Sequence, residues 1–593
     1  MNTKALRPVD FSWFLLPARP AVKAVAWVFL PWLLLTAPVA ADDEDERGWG
    51  IASAHPLATE SGREVLESGG NAFDLAVAVS AALGVVEPYG SGLGGGGFWL
   101  LHEADGDRDV MIDGRERAPL AATRTMYQDE DGELIERASI DGPLAAGIPG
   151  LPAALVHIAR EYGDLPLARS LAPAIRLARD GYGIDEPYRA MARFRRDVLQ
   201  RSSAAAETFL DDGEVPPKGY RLRQPELAAT LERLARHGRS GFYDGPVARK
   251  LVAGVREAGG IWSRRDLREY RVRERAPITG RYRGMQVVSA APPSSGGVTL
   301  VDALNILAPY DLGSADPAER VHLIVEAMRR AYHDRARWLG DTDYVDVPIQ
   351  LLTDPDYAAG RRASIRTDRA TPSDHLPGVG ADRGGRDTTH FSIIGPAGNR
   401  VAATLSINWP FGSGFMPPGT GVVLNDEMDD FAAKPGEPNV YGLVQGEANA
   451  IEPGKRMLSS MSPTFLEYGD RVAVLGTPGG SRIISMVLLV ALEFHEGAGR
   501  MAMAETPRFH HQYMPDAIES EPGALDDVLR SALRDRGHEL EMKDDTWGDM
   551  QIVTDHGGEI RGAADSRGIG AVGHGVVLEG ADGSRKFKSI PSE

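Results

Sequence analysis

Thr388 is the strongest candidate for a catalytic nucleophile in this chain. It lies in the stretch Asp387-Thr388-Thr389-His390-Phe391-Ser392, at the start of a strand-like run. A threonine inside a chain has no free amine. If the chain were cut before Thr388, that residue would carry a hydroxyl nucleophile together with an amine able to act as its base. The sequence therefore offers a nucleophile that depends on cleavage at Asp387–Thr388.

The segments on either side of Thr388 suit this role. Residues 370–387 are rich in Gly, Pro and Asp and have no apolar period, which predicts a loop where a cut is sterically possible. Residues 391–408 predict a hairpin. Because side chains alternate along a strand, three polar residues of the return strand share a face that we expect to point towards Thr388. These residues are Thr404, Ser406 and Asn408.

Helical and strand patterns alternate through the rest of the chain. Apolar spacing predicts helices over Asn71–Val86 and Ala318–Leu339, the latter capped by Asp316, and residues 140–260 predict several more. Short strands are predicted on both sides of the Asp105-Gly106 turn, at Phe98–Leu101 and Val110–Ile112.

Composition limits the class of protein. The chain has 593 residues, 42% of them apolar, enough for a large core. Its formal net charge of -19 argues against nucleic acid and anionic membranes as main partners. Because the chain has no cysteine, disulfides, thiol catalysis and thiolate metal sites are excluded.

The N-terminus has the pattern of a secretory signal. Basic residues such as Lys4 and Lys23 precede the apolar run Ala24–Leu35, and Val39-Ala40-Ala41 offers small residues for cleavage. We predict a signal peptide over residues 1–41 and export to the periplasm or the medium. The alternative is an uncleaved anchor, although the apolar run is shorter than the ~20 residues that a spanning helix prefers.

Two common motifs fail on context. Gly92-x-Gly94-x-x-Gly97 matches the dinucleotide fingerprint, but a helix-like run precedes it and a strand-like run follows, which indicates a tight turn instead. His510 and His511 are adjacent and point to different sides of any regular element, so they are poor metal ligands. No Gly-x-Ser-x-Gly elbow occurs.

The C-terminal third holds weaker candidates. The glycine turn at residues 476–481 could present two N–H groups to one oxygen, as an oxyanion hole requires, or could simply join a strand to a helix. The hydroxyl cluster around Ser459, the acidic run at residues 425–431 and Arg115 are each as typical of a loop or a solvated surface.

Taken together, these segments resemble the γ-glutamyltranspeptidases, a family of N-terminal-nucleophile hydrolases. The resemblance covers nearly the whole chain after the signal. It rests on Thr388–Ser392, Leu424–Phe431, Pro438–Leu443, Lys455–Thr464, Pro478–Ile484, Pro507–Gln512, Arg115-Glu116 and Pro292–Gly297.

The resemblance implies an α+β fold with an αββα sandwich of two stacked antiparallel sheets, formed jointly by two subunits. The precursor would cut itself at Asp387–Thr388 into a large subunit, 42–387, and a small subunit, 388–593. Thr388 would then attack the γ-glutamyl amide of a substrate such as glutathione. The resulting ester would pass its γ-glutamyl group to water, an amino acid or a peptide, with no cofactor or metal.

The resemblance also implies roles for individual residues. Ser406 would hydrogen-bond the nucleophile, and Gly479 and Gly480 would donate to the oxyanion. Tyr441 would lie in a lid loop, residues 435–446. Three residues would bind the substrate α-carboxylate, namely Arg115, Ser459 and Ser460. Three others would bind its α-ammonium, namely Asn408, Glu427 and Asp430.

Two alternatives remain open on the sequence. One is an acylase of the same fold that removes glutaryl groups from cephalosporins, which would have no use for an ammonium site. The other is an unprocessed, inactive protein that only binds γ-glutamyl compounds.

Overall fold

Two antiparallel β-sheets form the centre of this computed structural model, which describes residues 45–376, 388–579 and 585–590. The predicted signal peptide and the residue before the predicted cut, Asp387, lie outside the described residues. The described residues belong to one compact unit, Glu44–Glu593.

The strands are numbered in chain order. They are β1 Asp45–Ser53, β2 Gly96–Glu103, β3 Arg108–Asp113, β4 Tyr182–Gly183, β5 Arg221–Leu222, β6 Arg273–Arg275, β7 Ile278–Tyr282, β8 Met285–Ser289, β9 Thr389–Ile394, β10 Arg400–Ser406, β11 Thr464–Tyr468, β12 Arg471–Gly476, β13 Phe509–His510, β14 Ile518–Ser520, β15 Leu540–Met542, β16 Gln551–His556, β17 Glu559–Ala564, β18 Ala571–Glu579 and β19 Arg585–Ser589.

The helices are numbered in the same way. They are α1 Pro56–Glu67, α2 Ala72–Val86, α3 Leu151–Glu161, α4 Leu167–Asp180, α5 Glu186–Leu199, α6 Ser203–Phe209, α7 Pro225–His237, α8 Ser240–Tyr243, α9 Gly245–Glu257, α10 Arg264–Glu269, α11 Gly296–Leu307, α12 Pro317–Trp338, α13 Ile349–Leu352, α14 Pro355–Arg362, α15 Ile483–His495, α16 Arg500–Ala504 and α17 Asp527–Asp535.

The large sheet has the order β19-β18-β1-β9-β10-β2-β3-β6, and the second has the order β17-β16-β12-β11-β8-β7. Apolar side chains of both sheets, such as Phe98 and Phe465, form one buried cluster between them. Helices including α2 and α4 cover the outer face of the large sheet, and α11, α12 and α15 cover that of the second. The fold is therefore the αββα sandwich that the resemblance implied.

Local sequence explains the elements that were predicted. Asn71 caps α2 by accepting hydrogen bonds from Phe73 N and Asp74 N. Asp316 caps α12 in the same way, with Pro317 in its first turn. The predicted hairpin is β9 and β10, and the strands predicted around Asp105-Gly106 are β2 and β3.

The glycine turn before β2 serves close packing rather than nucleotide binding. A Cβ on Gly94 would lie 1.8 Å from Val423 O, and one on Gly95 would lie 2.1 Å from Ser406 O. Because backbone atoms cannot yield as a side-chain end can, these positions accept only glycine. The turn thereby brings β10 and the loop before residue 425 together.

Candidate active site

A small cavity at the start of β9 brings most of the predicted site residues together. It encloses about 20 Å³, room for about one water. Its lining includes Arg115, Thr388, Ser406, Asn408, Glu427, Asp430, Tyr441, Ser459, Ser460 and Gly480. Gly479 instead lines a second cavity, which also contains Thr388.

The β9–β10 hairpin positions Thr388 against Ser406. Thr388 immediately precedes β9, and Leu405 pairs with Thr389, so the same register places Ser406 opposite Thr388. Ser406 Oγ accepts a hydrogen bond from Asn408 N at 2.7 Å, which leaves the Ser406 hydroxyl proton to donate elsewhere. Asn408 has φ 73°, a left-handed conformation that asparagine tolerates better than most residues.

Arg115 is the positive group of the cavity and is fully buried. Its Nη1 donates to Glu427 Oε2 at 2.7 Å, and its Nη2 donates to Asp430 Oδ2. Tyr270 Oη holds the Arg115 backbone by donating to its carbonyl at 2.7 Å. A guanidinium with two carboxylate partners in a buried site forms strong, directional hydrogen bonds.

The two carboxylates come from a single turn of 3₁₀-helix, Glu427–Asp430. In such a helix, residues three apart lie on one side, so both side chains reach Arg115. Burial raises the pKa of Glu427 to about 7 against the opposing effect of Arg115, and burial also raises the pKa of Asp430. The carboxyl of Glu427 therefore changes its protonation state near neutral pH.

Ser459 and Ser460 also line the cavity, and they are held by contacts that sequence reasoning missed. Ser295 Oγ donates to Ser459 O at 2.6 Å. Arg335, from α12, donates through Nε to Ser295 Oγ at 2.9 Å and through Nη2 to Ser460 Oγ at 3.1 Å. Arg335 is buried, and burial lowers its pKa to about 10. A helical arginine carries no sequence pattern that assigns it to a site over a hundred residues away.

Glu116 is a second residue whose position sequence reasoning did not explain. It is fully buried, and Oε2 lies 3.6 Å from Arg115 Nη1. Neither carboxyl oxygen has a hydrogen-bond partner among the described residues. Burial and the neighbouring Glu427 raise its pKa well above the usual range. A protonated Glu116 removes one negative charge from the surroundings of Arg115.

Tyr441 covers the cavity from the predicted lid loop. Its side chain is buried, and its Oη donates to Asn408 O at 2.8 Å. Asn439 Nδ2 donates to Asp430 Oδ1 at 3.3 Å, and Gln512 Nε2 donates to Gly442 O at 3.1 Å. These contacts fasten the loop to the cavity rim.

Gly479 and Gly480 lie in the turn between β12 and α15, beside Thr388. Their φ angles are 138° and 57°, conformations that favour glycine. A Cβ on Gly479 would also lie 2.6 Å from Met486 Cε. The turn therefore joins a strand to a helix and at the same time brings glycine backbone to both cavities at Thr388.

One histidine cluster has the spacing of a metal site but not its electrostatics. Ligand atoms of His322, Glu326 and His538 lie within 4.8 Å of one another. However, Glu326 is paired with Arg329 at 3.2 Å and with Arg330 at 2.6 Å, so adjacent positive charges oppose a cation. The adjacent His510 and His511 have separate partners in Ser485, Gln512 and Asp516.

Fold and cavity together define an N-terminal-nucleophile hydrolase sandwich with a charged pocket at the start of a central strand. The sequence matches the family model of Gamma-glutamyltranspeptidase over residues 58–575, and the chain belongs to the γ-glutamyltranspeptidase family. It is 45% identical to the glutathione hydrolase proenzyme of Pseudomonas sp. (strain A14), over 85% of this chain and 88% of that protein.

Solved structures agree with this assignment. The cephalosporin acylase from Bacillus halodurans superposes with a TM-score of 0.78 at 28% identity, covering 92% of this chain and 99% of that one. The γ-glutamyltranspeptidase of Helicobacter pylori superposes with a TM-score of 0.54 at 39% identity, covering 55% of this chain and 94% of that one. Among helices in the described ranges, none has the length and apolar character to cross a bilayer.

Proposed function

We propose that this chain is a self-processing γ-glutamyltranspeptidase and glutathione hydrolase with Thr388 as its nucleophile. One observation carries the proposal: Thr388 lines the same cavity as the buried Arg115 and its acidic partners Glu427 and Asp430. A γ-glutamyl group ends in an α-carboxylate and an α-ammonium. A cavity with both charges at fixed positions beside a nucleophile is suited to that head group.

The nucleophile becomes active when the chain is cut between Asp387 and Thr388, giving residues 42–387 and 388–593. The new α-amine of Thr388 takes the proton of its own hydroxyl as the oxygen attacks the γ-carbonyl carbon. Ser406 orients that oxygen, and the N–H groups of Gly479 and Gly480 stabilise the oxyanion. The amide C–N bond then breaks, the amine leaves with the proton, and a γ-glutamyl ester remains on Thr388.

Substrate binding exchanges ion pairs within the cavity. Arg115, together with Ser459 and Ser460, binds the α-carboxylate, while Glu427, Asp430 and Asn408 bind the α-ammonium. Without substrate, Arg115 pairs directly with the two acids. Breaking such buried pairs costs about 3–5 kcal/mol when nothing replaces the lost partner. The substrate supplies a replacement charge to each side, so a ligand lacking either charge is discriminated against.

The acylase alternative fits the charges of this cavity less well. A glutaryl group has the same length but no α-ammonium. The glutaryl carboxylate would pair with Arg115, which would then no longer pair with Glu427 and Asp430. These two acids would face an apolar CH₂ group. Similarity to a cephalosporin acylase therefore reflects the shared fold, whereas the acidic turn favours γ-glutamyl substrates.

Export is part of the proposal. The signal pattern over residues 1–41 and the absence of cysteine are consistent with a mature enzyme in the periplasm or the medium.

The proposal is tested with Thr388→Ala and Thr388→Ser. The purified unmodified protein should release p-nitroaniline from γ-glutamyl p-nitroanilide, and Thr388→Ser should keep measurable release because it retains a hydroxyl. Thr388→Ala should remain one chain on a denaturing gel and release none. Release by Thr388→Ala would rule out this nucleophile. A single uncut chain in the unmodified protein would favour the inactive-binder alternative.

A further inference from the structure

Besides the charged pocket, a second cavity also has Thr388 in its lining. It is roughly ten times larger, about 210 Å³. Its lining includes Thr388, Thr389 and Gly479, together with the acidic residues Glu87 and Asp549. Because Thr388 lines both cavities and the γ-glutamyl head would bind in the small pocket, a molecule in this larger cavity would lie beside the γ-glutamyl ester on Thr388.

Glu87 is a buried carboxylate beside the nucleophile. Its Oε2 accepts from Thr389 Oγ1 at 2.7 Å and its Oε1 accepts from Tyr89 Oη at 3.2 Å. Both partners are neutral hydroxyls. Burial raises the pKa of Glu87 and the nearby His55 lowers it, but His55 Nε2 is itself paired with Asp185 at 3.3 Å. Glu87 therefore retains capacity to accept from a cation in the cavity.

Asp549 supplies a second carboxylate. It accepts from Gln551 Nε2 at 2.7 Å. Burial and then the charge of Glu87 raise its pKa, and burial raises the pKa of Glu87 as well. Arg567 is the one basic side chain among the described lining residues. Its guanidinium N–H groups donate hydrogen bonds to Glu521 and Asp565, at 2.8–3.0 Å.

Trp547 provides an independent sign of a ligand. Trp547 lines the cavity and is 3% exposed, yet its indole N–H has no acceptor among the described residues. A buried N–H without a partner is costly and is usually satisfied by water or by a ligand. A carbonyl or carboxylate oxygen of a bound molecule would supply that acceptor.

We propose that this cavity binds the acceptor of the transfer reaction and that Glu87 and Asp549 select acceptors carrying a positive charge besides the attacking amine. This inference rests on the proposed function. The chemical class is a basic amino acid or a short peptide with a basic side chain, whose carboxyl group would reach the indole N–H of Trp547. A cation relieves the repulsion between the two carboxylates, which a neutral acceptor cannot do.

The transfer step balances without another reactant. The acceptor α-amine, in its neutral form, forms a bond to the γ-carbonyl carbon, and the bond from that carbon to Thr388 Oγ breaks. The proton released by the amine passes through the Thr388 α-amine to Oγ. The second, charged group of the acceptor stays protonated throughout and only anchors the molecule.

The test compares arginine with citrulline, which has nearly the same shape but no charge. The full-length processed enzyme receives γ-glutamyl p-nitroanilide and one acceptor at low ionic strength. The γ-glutamyl product and free glutamate are separated by chromatography. We expect kcat/KM for transfer to arginine to exceed that for citrulline at least about tenfold, which corresponds to about 1.4 kcal/mol. In Asp549→Asn, kcat/KM for arginine should exceed that for citrulline by no more than about threefold.

Asp544→Asn is the matched control, because Asp544 is exposed on the same loop and does not line the cavity. It should leave the arginine-to-citrulline ratio unchanged. Equal transfer to the two acceptors by the unmodified enzyme would overturn the inference without any variant, as would full preference in both Asp549→Asn and Glu87→Gln. Failure of the proposed function is distinguishable, since no p-nitroaniline would then be released with any acceptor.

Discussion

At the scale of single residues, the charged pocket is an ion-pair cluster in which three acidic side chains surround one arginine. Arg115 contacts Glu427 and Asp430 directly, and Glu116 Oε2 lies 3.6 Å from Arg115 Nη1 with no hydrogen-bond partner in the described part of the chain. Since three full negative charges around one buried guanidinium would repel one another, the cluster favours holding a proton. Under the proposed function, substrate recognition would therefore be coupled to protonation.

This coupling predicts a pH dependence of substrate binding. Burial raises the pKa of Glu427 to about 7, so its carboxyl is mainly neutral below that pH and ionised above it. The ionised form attracts the substrate ammonium, so KM should fall about three- to tenfold between pH 6 and pH 8. Glu427→Gln should give a nearly flat KM profile. Equal slopes in the two proteins, with kcat recorded separately, would contradict the assignment.

Asp430→Asn tests the ammonium site without changing its shape. The variant should still be cut into two chains, because Asp430 lies outside the hairpin that carries Thr388. It should lose about 10²–10³ in kcat/KM for γ-glutamyl p-nitroanilide, the range expected when a buried charge pair with the substrate is lost. Glu447→Gln is a control, since Glu447 is exposed and pairs with Arg124 at the surface. Undiminished turnover by Asp430→Asn would place the ammonium elsewhere.

At the scale of elements, the candidate site residues are positioned mainly by short turns and less by long helices. The β9–β10 register sets Ser406 against Thr388, the 3₁₀ turn Glu427–Asp430 presents two acids, and the β12–α15 turn supplies glycine backbone. Each turn is anchored to a sheet of the sandwich, which keeps the groups at fixed separations.

Gly480→Ala tests the glycine turn. Its φ of 57° disfavours an L side chain, so the turn should shift and misdirect the N–H groups aimed at the oxyanion. We expect kcat to fall about 10²-fold with little change in KM. Gly69→Ala is the control, because Gly69 has φ 91° but nothing within 4 Å of a new Cβ and lies far along the chain. An equal loss of kcat in both variants would point to a general folding defect.

The elements best predicted from sequence were those with local determinants. Caps and apolar spacing were enough for α2 and α12, and alternation was enough for the β9–β10 hairpin. Strand order was not predictable from local patterns, since β1 pairs with β18 across more than 500 residues. In the site, family motifs located Arg115 and Asp430, but no motif indicated that Arg335 reaches Ser460.

At the scale of the whole molecule, the two halves on either side of the proposed cut share one sheet. Strand β1, from before the cut, lies between β18 and β9, both from after it. Strands β2 and β10 pair in the same way. Neither half can complete its sheet or bury its core alone, because unpaired central strands would expose their backbone groups.

Cleavage should therefore leave a tightly associated pair of chains. Size-exclusion chromatography in native buffer should give one peak containing both, and only denaturant should separate them. Moderate salt should have no effect, since the contacts are backbone ladders and buried apolar surface rather than exposed ion pairs. Two separate native peaks would show that the shared sheet does not hold the cut molecule together.

The central claim is that Thr388 becomes an N-terminal nucleophile, and N-terminal sequencing of the smaller chain tests it most directly. The purified protein should give two bands on a denaturing gel, and the smaller should begin Thr-Thr-His-Phe-Ser, residues 388–392. A smaller chain beginning at any other residue, or a single uncut chain in fully active protein, would contradict the account.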